Sequence, residues 1–465
     1  MIKNIHYFIS AILLSALIGC KSEKKDLVTY FGGKIINPKS NLVVLFSMDK
    51  VIDTFLLDDK DKFIGKLLNA QEGLYHFSHG NENQYIYLEP QDSLMIRLNT
   101  WDFDESLVFA GIGAERNNIL IDCFIDNEKE DNLFYSYNKL NPKEFKVKVD
   151  SISALKLNTY KDYLEIYPNE TEGFQEILKI ALTFPLFARV EKYPLIYSRF
   201  SETGDFPKTT SAFYEHRTDI EFNNSSLMYY PPYSNFVKNY LYNETYSLGH
   251  PPVKSQYSLK FTIDLLTIID EKIKAESPKN AFLKQTVVSH FYNKSSCNLN
   301  QKPFDKYFEL STNTEDKEHI HQLLNDAKSI KANKRIQNFN VIDYSNTERS
   351  IYEIIKGKNT LLFFWSSEFV SESYIVSRMN YLSKTYPNIE FIQIRIDANN
   401  ANNRIEKLDI KNQFYINLES TAHQFLTSKM PRSILIDKNG IVLNGYASIS
   451  SYNLNPFLEE LNKIN

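Results

Sequence analysis

The sequence predicts a multidomain protein with an amino-terminal antiparallel β-sandwich-like part, an all-helical middle region and a C-terminal α/β domain. Its 465 residues exceed one ordinary domain, for which about 150 residues is a reasonable prior. Short apolar or alternating runs between turn residues occupy 27–112, and apolar residues at three- and four-residue steps occupy 113–335. Strand-like and helix-like segments alternate over 336–465, which is typical of a mixed sheet flanked by helices.

The amino terminus reads as a processing signal. Residues 1–19 are predicted to form a signal peptide, because a short basic stretch, "MIKN", precedes an apolar run too short for a membrane span of about 20 residues. The following "LIGC" resembles the lipobox of bacterial lipoproteins. That resemblance implies that Cys20 is lipidated, that residues 20–26 form a tether and that the protein is anchored to an envelope membrane, on its periplasmic or surface face. The alternative is a plain secretory signal with an incidental cysteine.

Composition excludes two classes of protein. A hydrophobic content of 43% with 24% charged residues is ordinary for folded chains, so wholesale disorder is not expected. A net charge of −4 provides no clustered basic surface, so we predict no nucleic-acid partner.

The cysteines carry little recognisable chemistry. Besides Cys20 the chain has only Cys123 and Cys297, far apart in sequence and in no CxxC or metal-type spacing. We interpret both as free buried thiols, with a single disulfide between them as the alternative. His319 and His321, two residues apart, do not share a helix face. We therefore predict no metal site and no cofactor.

The C-terminal pattern can be followed element by element. "NTLLFFW" and "IEFIQIRID" are predicted strands, separated by a predicted helix in "VSESYIVSRMNYLSKTYP". A shorter helix in "STAHQFLT" and a strand pair, "RSILID" and "IVLNGY", follow. The pair is joined by "KNG", a favourable turn because Asn-Gly supplies a positive φ.

This order of elements resembles the thioredoxin fold, and in particular the thiol–disulfide oxidoreductases of the bacterial envelope. "LLFFWSS" is similar to the family's first core strand, which leads into the active site Trp-Cys-x-x-Cys. "MPRSILIDKNGIV" is similar to its cis-proline segment, with Met430 before Pro431 as the cis-proline and with Asp437 and Gly440 as hairpin markers. The whole mature chain, with its β-rich front and helical middle, also looks like a lipoprotein architecture that carries an amino-terminal β-domain of unknown function.

The resemblance breaks down at the catalytic pair. Trp365 and the turn after it are present, but the five positions of Trp-Cys-x-x-Cys are occupied by Glu368 to Glu372. The nucleophilic cysteine maps to Phe369 and the resolving cysteine to Glu372. Disulfide exchange needs a thiolate to attack and a second thiol to resolve the mixed disulfide. We therefore predict no catalytic residue and a redox-inactive domain.

Two interpretations of the altered turn stay open. Glu368 and Glu372 at a helix amino terminus could bind a basic ligand or act as a base, or they could simply stabilise the helix end, with Ser367 as its cap. The Pro431 loop could also retain the family's peptide-binding groove, which Arg432 would make more basic.

The leading functional hypothesis is a membrane-anchored binding or assembly protein with a protein or peptide partner. One alternative is a thiol-dependent oxidoreductase or antioxidant activity that uses Cys123 or Cys297. Another is a glycan- or nutrient-binding surface lipoprotein that uses the aromatic-rich β-domain.

Overall fold

The computed structural model describes residues 27–218, 220, 222–252, 257–293, 299–397, 404–451 and 454–463. The predicted signal peptide, Cys20 and Cys297 lie outside these residues and stay predictions. No helix within the described ranges is both long enough and apolar enough to cross a membrane.

The chain forms two compact units. The first contains the described residues up to Phe200, with Pro207–Thr218 and Ser226–Lys238, and the second is formed chiefly by the described residues from Asn239 onward. The predicted succession of strands, helices and an α/β part is confirmed. The helical region predicted for 113–335 is divided between the two units.

The first unit begins with two four-stranded sheets. Their strands are β1 (Val28–Ile36), β2 (Leu42–Ser47), β3 (Lys50–Leu56), β4 (Lys62–Leu68), β5 (Gly73–His79), β6 (Glu82–Leu88), β7 (Ser93–Asn99) and β8 (Val108–Ala110). The sheet orders are β4-β1-β7-β8 and β3-β2-β5-β6, and alternating side chains from both sheets meet in one core.

The prediction of a purely antiparallel front part is wrong for one pair of strands. β1 runs parallel to β7, with Tyr30 opposite Ser93, whereas the other pairs in both sheets are antiparallel. Closely spaced turns predict antiparallel hairpins between consecutive strands. They do not determine how strands distant in sequence pair.

Long helices complete the first unit. They are α1 (Ala114–Tyr137), α2 (Pro142–Ile166) and α3 (Glu172–Phe200), followed by the start of α4 (Pro231–Ser247). Asn141 caps α2, since its side chain accepts hydrogen bonds from the amides of Lys143 and Glu144.

Besides the end of α4, four helices of the described ranges precede the α/β part of the second unit. They are α5 (Leu259–Lys272), α6 (Glu276–Asn293), α7 (Lys302–Leu310) and α8 (Thr314–Ser329). Asn313 caps α8 through a hydrogen bond from the amide of Asp316.

A seven-stranded mixed sheet forms the rest of this unit. Its strands are β9 (Asn340–Asp343), β10 (Glu348–Ser350), β11 (Thr360–Trp365), β12 (Glu390–Arg395), β13 (Gln413–Tyr415), β14 (Arg432–Ile436) and β15 (Val442–Ala447). The order is β10-β9-β13-β12-β11-β14-β15, in which β11, β12 and β13 are parallel and β14 is antiparallel to β11. The helices are α9 (Ile351–Ile355), α10 (Glu372–Thr385) and α11 (Asn455–Lys463).

β11 explains the uninterrupted apolar run in the sequence. All six of its residues are buried, because the strand is covered on both faces. Leu361, Phe363 and Trp365 belong to the core that includes α10 and α11, and Leu362 and Phe364 belong to the core on the opposite face.

Two local predictions concern the α/β part, namely the turn between β14 and β15 and a helix before β14. Gly440 has φ of 82°, as the turn between β14 and β15 requires. The helix predicted in "STAHQFLT" is only a short 3₁₀ segment, Thr421–Phe425.

Candidate functional site

The turn between β11 and α10 is the position at which the sequence resemblance places a catalytic dithiol. The helix begins at Glu372, and its cap is Ser371, whose hydroxyl accepts a hydrogen bond from the Tyr374 amide. The prediction of Ser367 as the cap is therefore wrong. Ser367 lies further from the helix and donates to the Asp397 carboxylate through both its hydroxyl (2.6 Å) and its amide (2.9 Å).

Asp397 fixes this turn from the neighbouring strand. Ser366 also donates to it, at 3.2 Å, and the Arg395 Nε donates at 2.8 Å. β11 and β12 are parallel, with Trp365 opposite Arg395, so residues just after both strands meet at one edge of the sheet. Burial alone would raise the pKa of Asp397, but the hydrogen bonds from Ser367 and Arg395 outweigh it, and the pKa is lowered.

Asp397 gives the turn a specific acid sensitivity. The pKa of Asp397 is lower in the folded protein than in the unfolded chain. The ionised carboxylate therefore stabilises the fold above the unfolded pKa of about 3.9, and this stabilisation is lost as pH falls through the folded pKa.

In a Trp101→Phe background the fluorescence of Trp365, the remaining tryptophan, should stay constant from neutral pH to about pH 4 and change below it. Asp397→Asn should lower stability at neutral pH by about 1–2 kcal/mol and flatten this acid transition, whereas the exposed Glu406→Gln should change neither. An unchanged acid transition in Asp397→Asn would contradict the assignment.

The residues that replace the dithiol motif occupy different environments. Trp365 is 1% exposed, and the Arg395 guanidinium lies 4.8 Å from its ring centroid. Glu372 Oε1 lies 3.6 Å from Arg395 Nη1, so an internal cation is near this carboxylate. Glu368 is exposed on the turn, and Phe369 is 37% exposed. Because Glu372 already lies near Arg395, we favour the interpretation that Glu372 stabilises the helix end over the interpretation that it binds a basic ligand or acts as a base.

The Pro431 loop departs from the prediction of a cis-proline. The peptide bond between Met430 and Pro431 is trans, which is the isomer favoured by about 0.5–1 kcal/mol in the absence of other constraints. Lys429, in the left-handed region with φ of 56°, turns the chain just before it.

Arg432 does not make the groove basic. It is 0% exposed, and its guanidinium donates to the carbonyl oxygens of Gly445 (2.7 Å) and Phe425 (2.5 Å). It also lies 4.6 Å from the centroid of the Tyr446 ring. Arg432 begins β14, and the first residue of a covered strand points into the core rather than toward the loop.

The altered turn and the proline loop enclose a groove of about 530 Å³, which we call the proline-loop groove. None of its lining side chains is charged; they are Tyr292, Phe363, Phe369, Val370, Ser371, Tyr374, Met430, Pro431, Ala447, Ser448, Ile449 and Ser450. The Tyr374 and Ser450 hydroxyls contact each other at its edge. The groove can therefore accept an apolar group with a few hydroxyl contacts.

Helices that precede the α/β part hold the proline loop, which the sequence did not predict. The Tyr292 hydroxyl, on α6, donates to the Pro431 carbonyl oxygen at 3.0 Å. On α8, the Asp326 carboxylate accepts four hydrogen bonds of 2.7–2.9 Å, from the amide and hydroxyl groups of Thr427 and Ser428. His319 Nε2 lies 3.1 Å from the Ser428 carbonyl oxygen, and its ring centroid lies 5.9 Å from that of Phe369.

The sequence contained a signal for some of these missed residues. Arg395 and Asp397 lie at the end of a predicted strand that neighbours the one ending at Trp365, so their place at the turn could have been inferred. Nothing comparable marks Tyr292 or Asp326. Among the described residues no group of three or more His, Cys, Asp or Glu side chains could hold a metal ion.

Cys123 lies on α1 in the first unit and is a free, buried cysteine. Burial raises the pKa of its thiol to about 12. At pH 8 the thiolate, which is the nucleophilic form, would be on the order of 10⁻⁴ of the total. This environment does not suit a catalytic thiol.

We expect Cys123 to be unreactive in the native protein. Iodoacetamide at pH 8 should leave it unmodified over a period that modifies it completely in guanidinium chloride, because only unfolding exposes and ionises the thiol. Mass spectrometry of the peptide that contains Cys123 measures this, with the denatured chain as reference. Native labelling within tenfold of the denatured rate would revive a thiol-dependent activity at this residue.

Comparisons with known proteins concern the fold. Similar solved structures include the thioredoxin domain of a thiol-disulfide oxidoreductase from Bacteroides vulgatus (21% identity, TM-score 0.21) and a thiol-disulfide oxidoreductase from Bacteroides fragilis (21%, 0.22). A thiol:disulfide interchange protein from a Bacteroides species is also similar (20%, 0.23). The matches cover 28%, 28% and 30% of this chain and 99%, 99% and 94% of those chains.

No protein-family model and no curated protein matches the sequence. The matched structures cover less than a third of the chain, and identities and TM-scores this low transfer no activity to it. The sheet itself has the predicted arrangement, in which β11 leads through a turn into α10 and β14 follows the proline loop. The α/β part of the second unit is therefore thioredoxin-like in fold.

Proposed function

We propose that this chain is a lipid-anchored cell-envelope protein whose thioredoxin-like domain binds extended apolar segments of partner proteins without disulfide exchange. The observation that carries the proposal is the proline-loop groove, which is open, about 530 Å³ in volume, and lined by uncharged side chains. Its position matches the place where the sequence resemblance predicts a peptide groove, beside the turn and the proline loop.

The absence of exchange chemistry follows from the two substituted positions. Phe369 has no ionisable group, and the Glu372 carboxylate cannot form a disulfide. A partner segment could therefore bind beside Phe369 and leave without covalent capture.

The groove lining indicates what it would recognise. Phe369, Val370 and Met430 offer apolar contact, and Met adapts to side chains of different shape. Burial of one Leu- or Phe-sized side chain contributes about 1.5–3 kcal/mol. Binding through one such anchor would be weak and tolerant of sequence, as suits an assembly or holding role.

Lipidation of Cys20 would complement weak binding. An anchor confines the domain to a membrane surface, where the effective concentration of a partner in the same membrane is raised without any new contact. The membrane is thus one proposed partner, through the acyl chains, and an apolar peptide segment is the other.

The experiment uses the mature chain without its acyl group and a fluorescent, fully alkylated insulin B chain as the extended probe. We expect saturable binding by fluorescence anisotropy. Phe369→Asp should weaken it about tenfold or more, because it places a charge in an apolar groove. Leu418→Asp is the matched control, since Leu418 is 86% exposed and does not line the groove, and it should bind as the wild type does.

Insulin reduction tests the proposed absence of disulfide exchange. The mature chain should show no turnover above that of the variant without Cys123 and Cys297. Turnover that exceeds this level would overturn the redox-inactive assignment, and equal binding by Phe369→Asp and wild type would overturn the groove assignment.

A further inference from the structure

A second cavity lies within the first unit. It has a volume of about 280 Å³ and is enclosed by β6, by the loop before β8 and by three helices. Its lining residues are Glu82, Asn83, Gln84, Tyr85, Asp104, Leu120, Cys123, Phe124, Asn127, Ala181, Pro185, Tyr230, Pro231 and Pro232. We call it the first-unit cavity.

Buried polar groups line this cavity without internal partners. The Asn127 Oδ1 is buried and accepts no hydrogen bond within the described part of the chain. Tyr230 is only 6% exposed, and the structure gives its hydroxyl no hydrogen bond to another described residue. A buried polar group without a partner costs about 1–3 kcal/mol, so such groups indicate that something else fills the space.

The charge around the cavity is negative. Asp104 accepts a hydrogen bond from the Gln84 Nε2 at 2.9 Å through Oδ1, which leaves Oδ2 as a further acceptor. Burial, followed by the nearby carboxylates of Glu128, Glu105 and Glu82, raises the pKa of Asp104. Lys156, the cation near Cys123, is already paired with Glu130 at 2.6 Å and does not line the cavity.

Aromatic rings provide the remaining walls. The rings of Tyr85 and Tyr230 meet edge to face, with centroids 5.6 Å apart, and Phe124 on α1 is also in the lining. Aromatic faces together with a carboxylate attract organic cations, because the ring quadrupole and the charge act in the same direction.

We propose that the first-unit cavity binds a small organic cation, a protonated primary amine on a short aliphatic chain. The ammonium group would donate to the Asp104 carboxylate and to Asn127 Oδ1, and the chain would lie against Tyr85, Phe124 and Tyr230. The Asp104 carboxylate and Asn127 Oδ1 are hydrogen-bond acceptors, and an ammonium group has only donors, so the two sides are complementary.

The test compares three ligands of equal chain length on the intact mature chain by calorimetry: cadaverine, pentanediol and glutarate. Cadaverine should bind at least about tenfold more tightly than pentanediol, because a charge-assisted hydrogen bond is stronger than a neutral one, and glutarate should not bind. Equal binding of the diamine and the diol, or no binding of cadaverine at millimolar concentration, would show a water-filled cavity and overturn the proposal.

Matched variants locate the effect. Asp104→Asn keeps the side-chain shape and the contact with Gln84, and should weaken cadaverine about tenfold or more. Asp102→Asn, in the same loop but exposed and outside the lining, should have no effect. Equal weakening by both variants would mean diffuse attraction to an acidic surface and would overturn the site.

Two further variants separate fold from function. Tyr230→Phe removes only the hydroxyl, which would be a third acceptor for the ammonium group, and should weaken binding several-fold without lowering the melting temperature. Phe369→Asp should leave cadaverine binding intact, so the result does not depend on the proline-loop groove.

Discussion

Replacement of Asp326 by Ala is expected to lower the free energy of unfolding of the second unit by about 3 kcal/mol or more and to abolish peptide binding in the proline-loop groove. The carboxylate is 2% exposed and accepts four hydrogen bonds from two consecutive residues of the loop. Without it, two backbone amides and two hydroxyls lose their acceptor together.

The effect should be concentrated in the loop. Hydrogen exchange of the amides of Thr427 and Ser428 reports local opening directly, and the melting transition of the second unit reports the global loss. Because the chain has two compact units, its unfolding should not be analysed as a single two-state transition. The unfolding of each unit must be followed by its own probe.

Asn325→Ala is the control for this prediction. Asn325 precedes Asp326 on α8 but is exposed, and its replacement should change stability by less than about 0.5 kcal/mol. Similar amide protection in Asp326→Ala and Asn325→Ala would mean that the proline loop is held by other contacts.

The contact between α8 and the proline loop could not be predicted from the sequence, whereas the elements on either side of the altered turn could. The run from Thr360 to Trp365 predicts a strand, and β11 is that strand. Its five consecutive apolar residues after Thr360 leave no face suited to solvent, and all six residues of the strand are buried. The helix after the turn is predicted by apolar residues at helical steps, and Ile375, Met379 and Leu382 are indeed its buried face.

Contacts between elements distant in sequence were not predictable in the same way. Asp326 reaches a loop about a hundred positions away, and the parallel pairing of β1 with β7 spans five intervening strands. Neither leaves a local pattern, because periodicity reports which face is buried and not what buries it.

The errors at the site have the same origin. Pro431 and Arg432 were placed by analogy with a motif, but the isomer of a proline bond and the direction of a side chain depend on packing around them. Here Phe425, Gly445 and Tyr446 surround the Arg432 guanidinium, and these residues come from segments on both sides of β14. The turn itself was located correctly because its position follows from the strand and helix that bound it.

Restoration of the missing thiols should restore exchange chemistry if the turn retains the geometry of an active site. We expect Phe369→Cys combined with Glu372→Cys to reduce insulin at a rate at least about tenfold above the wild-type background. Position 369 is exposed just before the start of α10, where the positive end of the helix lowers the pKa of a thiol. The loss of Glu372 also removes the carboxylate 3.6 Å from Arg395, which leaves more positive charge at the site.

A matched pair of cysteines distinguishes the turn from any dithiol. Ser377→Cys with Asn380→Cys has the same spacing on exposed positions of α10, away from the helix amino terminus, and should reduce insulin no faster than free dithiothreitol at equal concentration. Phe369→Cys alone should form a mixed disulfide without turnover, because no second thiol resolves it. If the two dithiol variants reduce insulin at equal rates, the turn does not retain the geometry of an exchange site, and the prediction is contradicted.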